Sequence, residues 1–157
     1  MKLIRYADVL LMAAECEVEA NNLSKAQEYV NKVRKRAANP AGFVKDGGSN
    51  AANYVIREYT AGEAGFFDNQ ANARAAVRFE RRLELGMEGN RFFDLVRWGV
   101  AAAEKNAYFA TEKSKRTYLN GAAFVAGKDE VVPIPRKAIT QSAKDGVPTL
   151  KQNQAGS

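Results

Sequence analysis

The stretch Phe79–Gly99, FERRLELGMEGNRFFDLVRWG, decides the fold, because large apolar residues alternate in it with charges of both signs. Glu80, Glu84 and Glu88 are four residues apart and therefore line one side of a helix. Carboxylates in a row repel one another, so nearby cations must neutralise them. Arginine is suited to this, because its planar guanidinium forms two parallel hydrogen bonds to a carboxylate. The sequence therefore predicts an internal ion-pair network whose three arginines are the expected partners of its glutamates. The network comprises Glu80, Arg81, Glu84, Glu88, Arg91, Asp94 and Arg97.

Two further helices are predicted before this stretch. Residues 3–20 repeat apolar side chains at steps of three and four, the period of a helix, and an Asn-Asn pair ends it. Ser24 is predicted to start the second helix, with Gln27 as its capping-box partner, and Pro40 follows its end. Helices joined by so short a turn pack antiparallel. We assign residues 1–40 to a helix pair that resembles one tetratricopeptide unit, which cannot bury its faces alone.

The quoted stretch itself is predicted to form two helices, over residues 72–88 and 91–103, and we assign this pair to 71–104. The Gly-Asn pair between them provides the break. The apolar residues that share one face of the first helix are Phe79, Leu83 and Met87. The same pattern places Phe92 and Leu95 on the inner side of the second helix. Ion pairs are expected to join the two helices.

The C-terminal region, residues 105–157, is predicted to hold one more helix over 107–119. Residues 124–125 can pair briefly with 130–132, and the tail from Arg136 is polar and expected to lie along the surface. The expected fold class is therefore mainly α. It consists of a tetratricopeptide-like antiparallel helix pair and further packed helices, with a small irregular or β segment and an extended C-terminal tail.

Residues 41–70 are predicted to form a variable loop, because glycine and asparagine recur through them. Its segment 54–59 has the β-propensity of a short strand. A loop of this length in a compact domain is usually functional or mobile. Its aromatic rings could stack on sugars or pack within their own loop, and the sequence does not choose between the two. The candidate ligand-binding residues are Tyr54, Tyr59, Phe66 and Phe67.

The composition excludes most familiar enzymes. The chain has 157 residues, a net charge of +6 and no histidine, which removes the commonest general base and the commonest metal ligand. Its one cysteine, Cys16, cannot form an intramolecular disulfide and lacks the usual histidine partner of a thiol nucleophile. No catalytic residue, metal site or cofactor is therefore predicted. The basic run at 32–36 is predicted to be a solvated helix end rather than a nucleic-acid site.

The row of carboxylates suggests one enzymatic alternative, the acid pair of a glycosidase. Such an enzyme keeps one acid in an apolar pocket, away from arginine. The glutamates here are interleaved with arginine, so the sequence favours ion pairing. Trp98 could stack on a sugar, but beside Phe92 and Leu95 at helical spacing it is predicted to pack in the core.

A series of motifs runs along the chain in a recognisable order. They are Arg5-Tyr6-Ala7-Asp8-Val9-Leu10-Leu11-Met12 with Ala14-Glu15, Val33-Arg34 and Arg36-Ala37, Glu80-Arg81-Arg82 with Glu84-Leu85, Glu88-Gly89 and Arg91, Asp94-Leu95 and Arg97-Trp98-Gly99, Pro133-Ile134-Pro135, and Leu150-Lys151-Gln152-Asn153. This order resembles the C-terminal end of SusD/RagB proteins, and the resemblance covers nearly the whole chain.

The resemblance implies a function without catalysis. SusD/RagB proteins are mostly helical lipoproteins on the outer face of the outer membrane of Bacteroidetes-type bacteria, with tetratricopeptide repeats as scaffold. Each caps a TonB-dependent transporter of the SusC type and binds oligosaccharides or, in some cases, peptides. This chain is expected to be the mainly structural C-terminal part, with the export signal and lipid anchor upstream. Cys16 lies within a helix and is not expected to carry the lipid.

Two hypotheses of different classes follow. The first is part of a glycan-capturing lipoprotein, which predicts ligand contacts in the loop at 41–70. The second is a tetratricopeptide-like scaffold that only docks a protein partner, which predicts that the loop aromatics are buried or disordered. In either case the helix pair at 3–37 is expected to expose a face that normally meets further repeats, so the fragment could self-associate through it. No nucleic-acid partner is expected.

Overall fold

The computed structural model describes residues 4–153, so Leu3, the first residue of the predicted first helix, lies outside the described residues, as do the last four residues of the tail. The helices are α1 (Tyr6–Glu19), α2 (Leu23–Ala37), α3 (Gln70–Glu84), α4 (Asn90–Arg97), α5 (Ala101–Glu112) and α6 (Arg136–Gln141). The strands are β1 (Lys45–Asp46), β2 (Ser49–Asn50), β3 (Ala143–Lys144) and β4 (Val147–Pro148). The two sheets are antiparallel pairs, β1 with β2 and β3 with β4. The prediction of a mainly α fold with small strand segments is confirmed.

The chain divides into two compact units, with the boundary after Gly89. This boundary falls inside the region 71–104 that the sequence analysis treats as one helix pair. Within the described part of the chain, no helix is both long enough and apolar enough to cross a membrane.

The first unit is built from α1, α2 and α3. Arg5, just before α1, and Arg36, near the end of α2, both bind Glu84 at the end of α3. At the opposite end, Gln70 at the start of α3 donates a hydrogen bond to the carbonyl oxygen of Val18. Helix α1 therefore runs antiparallel to both α2 and α3. The largest fully buried side chains are Leu11, Val18, Val30, Val33 and Val77.

Small residues allow these three helices to pack closely. Ala14, Ala26 and Ala73 are fully buried, one on each helix. The predicted start of the second helix was wrong: α2 begins at Leu23, and Asn22 caps it without a side-chain hydrogen bond. Gln27 forms no capping box, because its amide donates to the Tyr59 carbonyl oxygen instead.

Helix α3 ends at Glu84, four residues before the predicted end at Glu88. The backbone leaves the helical conformation at Leu85, with φ −101° and ψ 18°, and Met87 and Gly89 then adopt a left-handed conformation, at φ 66° and 82°. The apolar row predicted on this helix faces outward: Phe79, Leu83 and Met87 are all exposed. The buried face of α3 carries small apolar residues together with Glu80 and Arg81.

The loop between α2 and α3 is ordered around two features. Its first part forms the β1–β2 hairpin, which the sequence analysis had treated as loop. Its second part sends Tyr59 and Phe67 into the hydrophobic core of the first unit. Residues 54–59, predicted as a strand, are irregular. Around Tyr59, the backbone of this segment is hydrogen-bonded to polar side chains of α2 instead of to a neighbouring strand.

The second unit contains α4, α5 and α6. The predicted helix over 91–103 is interrupted at Gly99, which adopts φ 69°. The Val100 amide donates to the Leu95 carbonyl oxygen at 3.0 Å, and the Gly99 amide donates to that of Val96 at 3.0 Å. These two hydrogen bonds form a Schellman motif, which ends a helix at a left-handed residue. The chain then restarts as α5 at Ala101.

The remaining C-terminal predictions are partly wrong. The helix predicted over 107–119 ends at Glu112, and only the short 3-10 turn Thr117–Leu119 follows it. Residues 124–125 and 130–132 are not paired as strands, and the hairpin of this unit is β3–β4 further along. The tail that was expected to be extended contains α6 and this hairpin.

Candidate functional site

A charged interface lies between the three helices of the first unit. Glu80 on α3 accepts a hydrogen bond from the Arg34 guanidinium on α2, with Nη1 and Oε2 at 2.6 Å. The side chain of Glu80 is only 6% exposed and that of Arg34 15% exposed. Burial raises the pKa of Glu80, and the hydrogen bond from Arg34 opposes this shift. The pair is therefore a desolvated ion pair, which is stable only while both partners are present.

Glu84 accepts hydrogen bonds from two arginines. Arg5 donates to its Oε1 at 2.7 Å and also to its backbone carbonyl oxygen at 2.8 Å. Arg36 donates to both carboxylate oxygens at 2.6 Å. Glu88 lies beyond the end of α3 and accepts two hydrogen bonds from Arg5, at 3.0 and 2.8 Å. The hydrogen bonds to Glu88 and Glu84 raise the pKa of Arg5 above its ordinary value.

Two further ion pairs connect α3 with α1. Arg81 donates to Asp8 at 2.8 Å, and its side chain is 4% exposed. Arg74 forms a bidentate pair with Glu19, with both bonds at 2.7 Å, but this pair is at the surface. The same helix therefore carries one buried and one solvated link to the same neighbour.

In the second unit, Arg91 pairs with Glu104 at 3.4 Å, and Arg97 pairs with Asp94 at 3.0 Å. Asp94 is buried, but the Arg97 side chain is 44% exposed. Arg97 also lies over the ring of Trp98, with 5.0 Å between the guanidinium carbon and the ring centroid. Each of the seven residues of the predicted network thus makes an ion pair.

The partners predicted for the three glutamates were wrong. The cations that bind Glu80, Glu84 and Glu88 are Arg34, Arg36 and Arg5. A helix buries one stripe, so an arginine one residue along from a glutamate points away from it. The opposing cations come from other helices, and only the packing of the helices reveals them.

Polar residues of α2 also hold the loop in place. Asn31 donates to the Tyr59 carbonyl oxygen and accepts from the Tyr59 amide, both at 2.8 Å. Gln27 donates to the same carbonyl oxygen at 2.8 Å. Arg34 donates to the Arg57 carbonyl oxygen and lies over the Tyr59 ring, 4.4 Å from its centroid. We call Gln27, Asn31 and Arg34 the loop clamp; they follow one another at helical spacing along one side of α2.

The four aromatic candidates for ligand binding have different environments. Tyr59 and Phe67 are buried in the core, and Phe66 is partly buried against it. The Tyr59 ring contacts both phenylalanines, with centroids 4.6 and 5.4 Å apart. Burial also raises the pKa of the Tyr59 hydroxyl. Tyr54 lies outside this cluster, in the hairpin segment, with its ring stacked on Phe43.

Among residues 4–153 there is no cluster of three potential metal ligands drawn from His, Cys, Asp and Glu. The buried carboxylates of the first unit each face an arginine, which suits a helix interface and not acid–base exchange. A groove of about 730 Å³ opens beside the start of α1, lined by Arg5, Tyr6, Leu10 and Val33 among others.

A family model and a relative of known family match this chain. The model of the SusD family, SusD_RagB, matches residues 1–156. This chain belongs to the SusD family. A SusD-like protein, P25 of Formosa agariphila, is 40% identical to it over 96 residues, which are 61% of this chain and 15% of that protein. SusD-family proteins are in general non-catalytic nutrient-binding components associated with the outer membrane.

The arginines that bind Glu80, Glu84 and Glu88 were not predicted as the partners of these glutamates. Arg5, Arg34 and Arg36 all lie in the motifs that carry the resemblance, together with Asp8. These residues carry the resemblance to the family, whereas ion pairs were predicted only within the stretch 79–99. Their occurrence in the same series of motifs as that stretch was the signal from which the ion pairs could have been predicted.

Removing the central residue of the loop clamp is the first testable consequence. We expect Asn31→Ala to lower the free energy of unfolding by about 2 kcal/mol, because it breaks two hydrogen bonds to the Tyr59 backbone. Urea unfolding measures the loss, and hydrogen exchange of the Tyr59 amide should quicken. Gln27→Ala, which removes one bond, is the graded control. Unchanged exchange at Tyr59 would contradict the clamp.

Proposed function

We propose that this chain is the mainly structural C-terminal part of a non-catalytic, oligosaccharide-binding protein of the SusD family. The observation that carries the proposal is that the charged residues of the family motif form ion pairs between the helices. Glu80, Arg81 and Glu84 are held by side chains from α1 and α2, so they fix the helices in place. Buried charges engaged in this way are not available to protonate or attack a ligand.

The proposal extends to location and partners. The whole protein would be held at the outer surface of the outer membrane by an upstream lipid anchor. It would deliver its oligosaccharide to a TonB-dependent transporter of the SusC type. Membership in the SusD family supports both statements. No cofactor is required for capture and hand-over, since neither step changes a covalent bond.

Ligand contacts within this chain are proposed for Tyr54. Tyr59 and Phe67 already bury their rings in the core, which is the environment that a docking scaffold predicts for them. Phe66 packs against the same core. The three therefore support the loop, while Tyr54 stays near the surface in the hairpin segment.

The proposal predicts binding without turnover. The complete gene product should be retarded in native gels containing a soluble polysaccharide, and the pure protein should release no reducing sugar from it. Glu80→Gln and Glu84→Gln serve as controls for a carboxylate mechanism. Reducing sugar released by the pure protein and abolished in a folded Glu80→Gln variant would contradict the proposal.

A protein-docking scaffold is the second candidate, because α1 leaves apolar side chains exposed. Tyr6, Val9 and Met12 recur at three-residue steps and are 74%, 44% and 41% exposed. Such a face suits association with another helix or with a second copy of the chain. Sedimentation of the 157-residue chain tests whether this face makes protein contacts: self-association that is abolished by Val9→Asp and Met12→Asp shows that it does, and a monomer argues against it.

A further inference from the structure

The β1–β2 hairpin brings together two aromatic rings that the helical core does not use. The rings of Phe43 and Tyr54 are stacked, with centroids 4.2 Å apart and an angle of 16° between their planes. Both residues are partly exposed, and neither belongs to the hydrophobic core cluster. The stacking covers one face of each ring. Tyr54 was among the predicted ligand-binding residues, and Phe43 was not.

Hydrogen bonds fix the pair before any ligand arrives. The Val44 amide donates to the Tyr54 hydroxyl at 3.2 Å, and the Ala51 amide donates to the Val44 carbonyl oxygen at 2.9 Å. The turn of the hairpin is Gly47-Gly48, and both glycines adopt positive φ, at 55° and 90°. Positive φ at both central residues is the geometry of a tight hairpin turn that matches strand twist. A ring pair held in this way loses little entropy on binding.

Polar side chains are exposed on the same hairpin. Lys45, Asp46 and Asn50 are exposed on the hairpin, and the Lys45 ammonium donates to the Asn50 side-chain oxygen. The hairpin carries one positive and one negative side chain, so its net charge favours neither an anionic nor a cationic ligand.

We propose that the Phe43–Tyr54 pair is a stacking platform for a neutral pyranose unit, with the hairpin's polar side chains as hydrogen-bond partners. A pyranose has one face of C–H groups and a rim of hydroxyls, so it needs a flat apolar surface beside donors and acceptors. Aromatic rings next to polar groups provide both. This inference rests on the proposed oligosaccharide binding and names the site within this chain.

The alternative role of the pair is to close the hairpin, and two substitutions separate the roles. Tyr54→Phe removes the hydroxyl that bonds the Val44 amide but keeps the ring. Phe43→Leu keeps apolar volume but removes the flat face. If the pair is a platform, Phe43→Leu weakens saccharide binding at least about tenfold and Tyr54→Phe changes it less than about threefold. Tyr118→Leu, which removes a 74% exposed tyrosine in the second unit, is the matched control.

The experiment uses the complete gene product and native gels containing starch, xylan, galactomannan or mixed-linkage β-glucan. Circular dichroism checks that each variant is folded. Retardation by one of these polysaccharides that is lost in Phe43→Leu and kept in Tyr118→Leu and Tyr54→Phe supports the platform. Retardation equal in Phe43→Leu and the unmodified protein overturns the platform alone. No retardation by any of them overturns the proposed binding of neutral oligosaccharides, and the platform with it.

Discussion

Replacing Arg34 with methionine is expected to lower the free energy of unfolding by about 3 kcal/mol at pH 7, among the largest losses for a single substitution in the first unit. The substitution keeps much of the side-chain volume but leaves the Glu80 carboxylate buried without its cation. It also removes the bond to the Arg57 carbonyl oxygen and the contact with the Tyr59 ring. Urea unfolding followed by far-UV circular dichroism measures the loss.

The pH dependence of this variant identifies the cause. Burial already raises the pKa of Glu80 above 4.5, and loss of Arg34 raises it further. A carboxyl whose pKa is higher in the folded state stabilises the fold below its unfolded pKa and loses that contribution as pH rises through the folded value. Arg34→Met should therefore lie closer to the unmodified protein at pH 4.5 than at pH 7. A deficit independent of pH would show that Glu80 is not the group left uncompensated.

Arg36→Met is the matched control. Arg36 lies on the same turn of α2 and also binds a glutamate of α3, but its side chain is 61% exposed and Glu84 keeps its bond to Arg5. We expect a loss below about 1 kcal/mol, as for a solvated ion pair.

The second large effect is expected at Arg81. Its side chain is 4% exposed and donates to Asp8 on α1, so Arg81→Met should cost about 3 to 4 kcal/mol. Arg74→Met removes a bidentate link between the same two helices at the surface and should cost less than about 1 kcal/mol. Equal losses for the two variants would show that burial does not determine the strength of these links.

The helices were predictable where apolar periodicity dominates. The small buried alanines and valines of α1 and α2 repeat at helical steps, so both helices could be placed from the sequence. Helix ends were less predictable, because they depend on single backbone conformations. Met87 ends the turn after α3 with φ 66°, although methionine is an ordinary helix former. Gly99 separates α4 from α5 through a Schellman motif that the sequence analysis did not anticipate.

The sequence did not determine which face of α3 is buried. Phe79 and Leu83 were predicted to share one face of the helix, and that face is exposed, while Glu80 and Arg81 are buried. Periodicity cannot distinguish these faces, since the apolar and the charged residues repeat with the same spacing. The deciding information is the presence of Arg34 and Asp8 on neighbouring helices, which is a property of the packed structure. For the same reason, the burial of Tyr59 could not be read from its loop.

The central proposal is that the charges of the SusD-family motif hold the helices of the first unit together. A double-mutant cycle on Arg34 and Glu80 tests it most directly, using urea unfolding of the unmodified protein, Arg34→Met, Glu80→Gln and the double variant at pH 7. Structural pairing predicts a coupling energy of about 2 kcal/mol or more, because each single variant leaves a buried polar group without its partner. Losses that add to within about 0.5 kcal/mol would contradict the claim, since they would mean that Arg34 and Glu80 contribute to the fold independently.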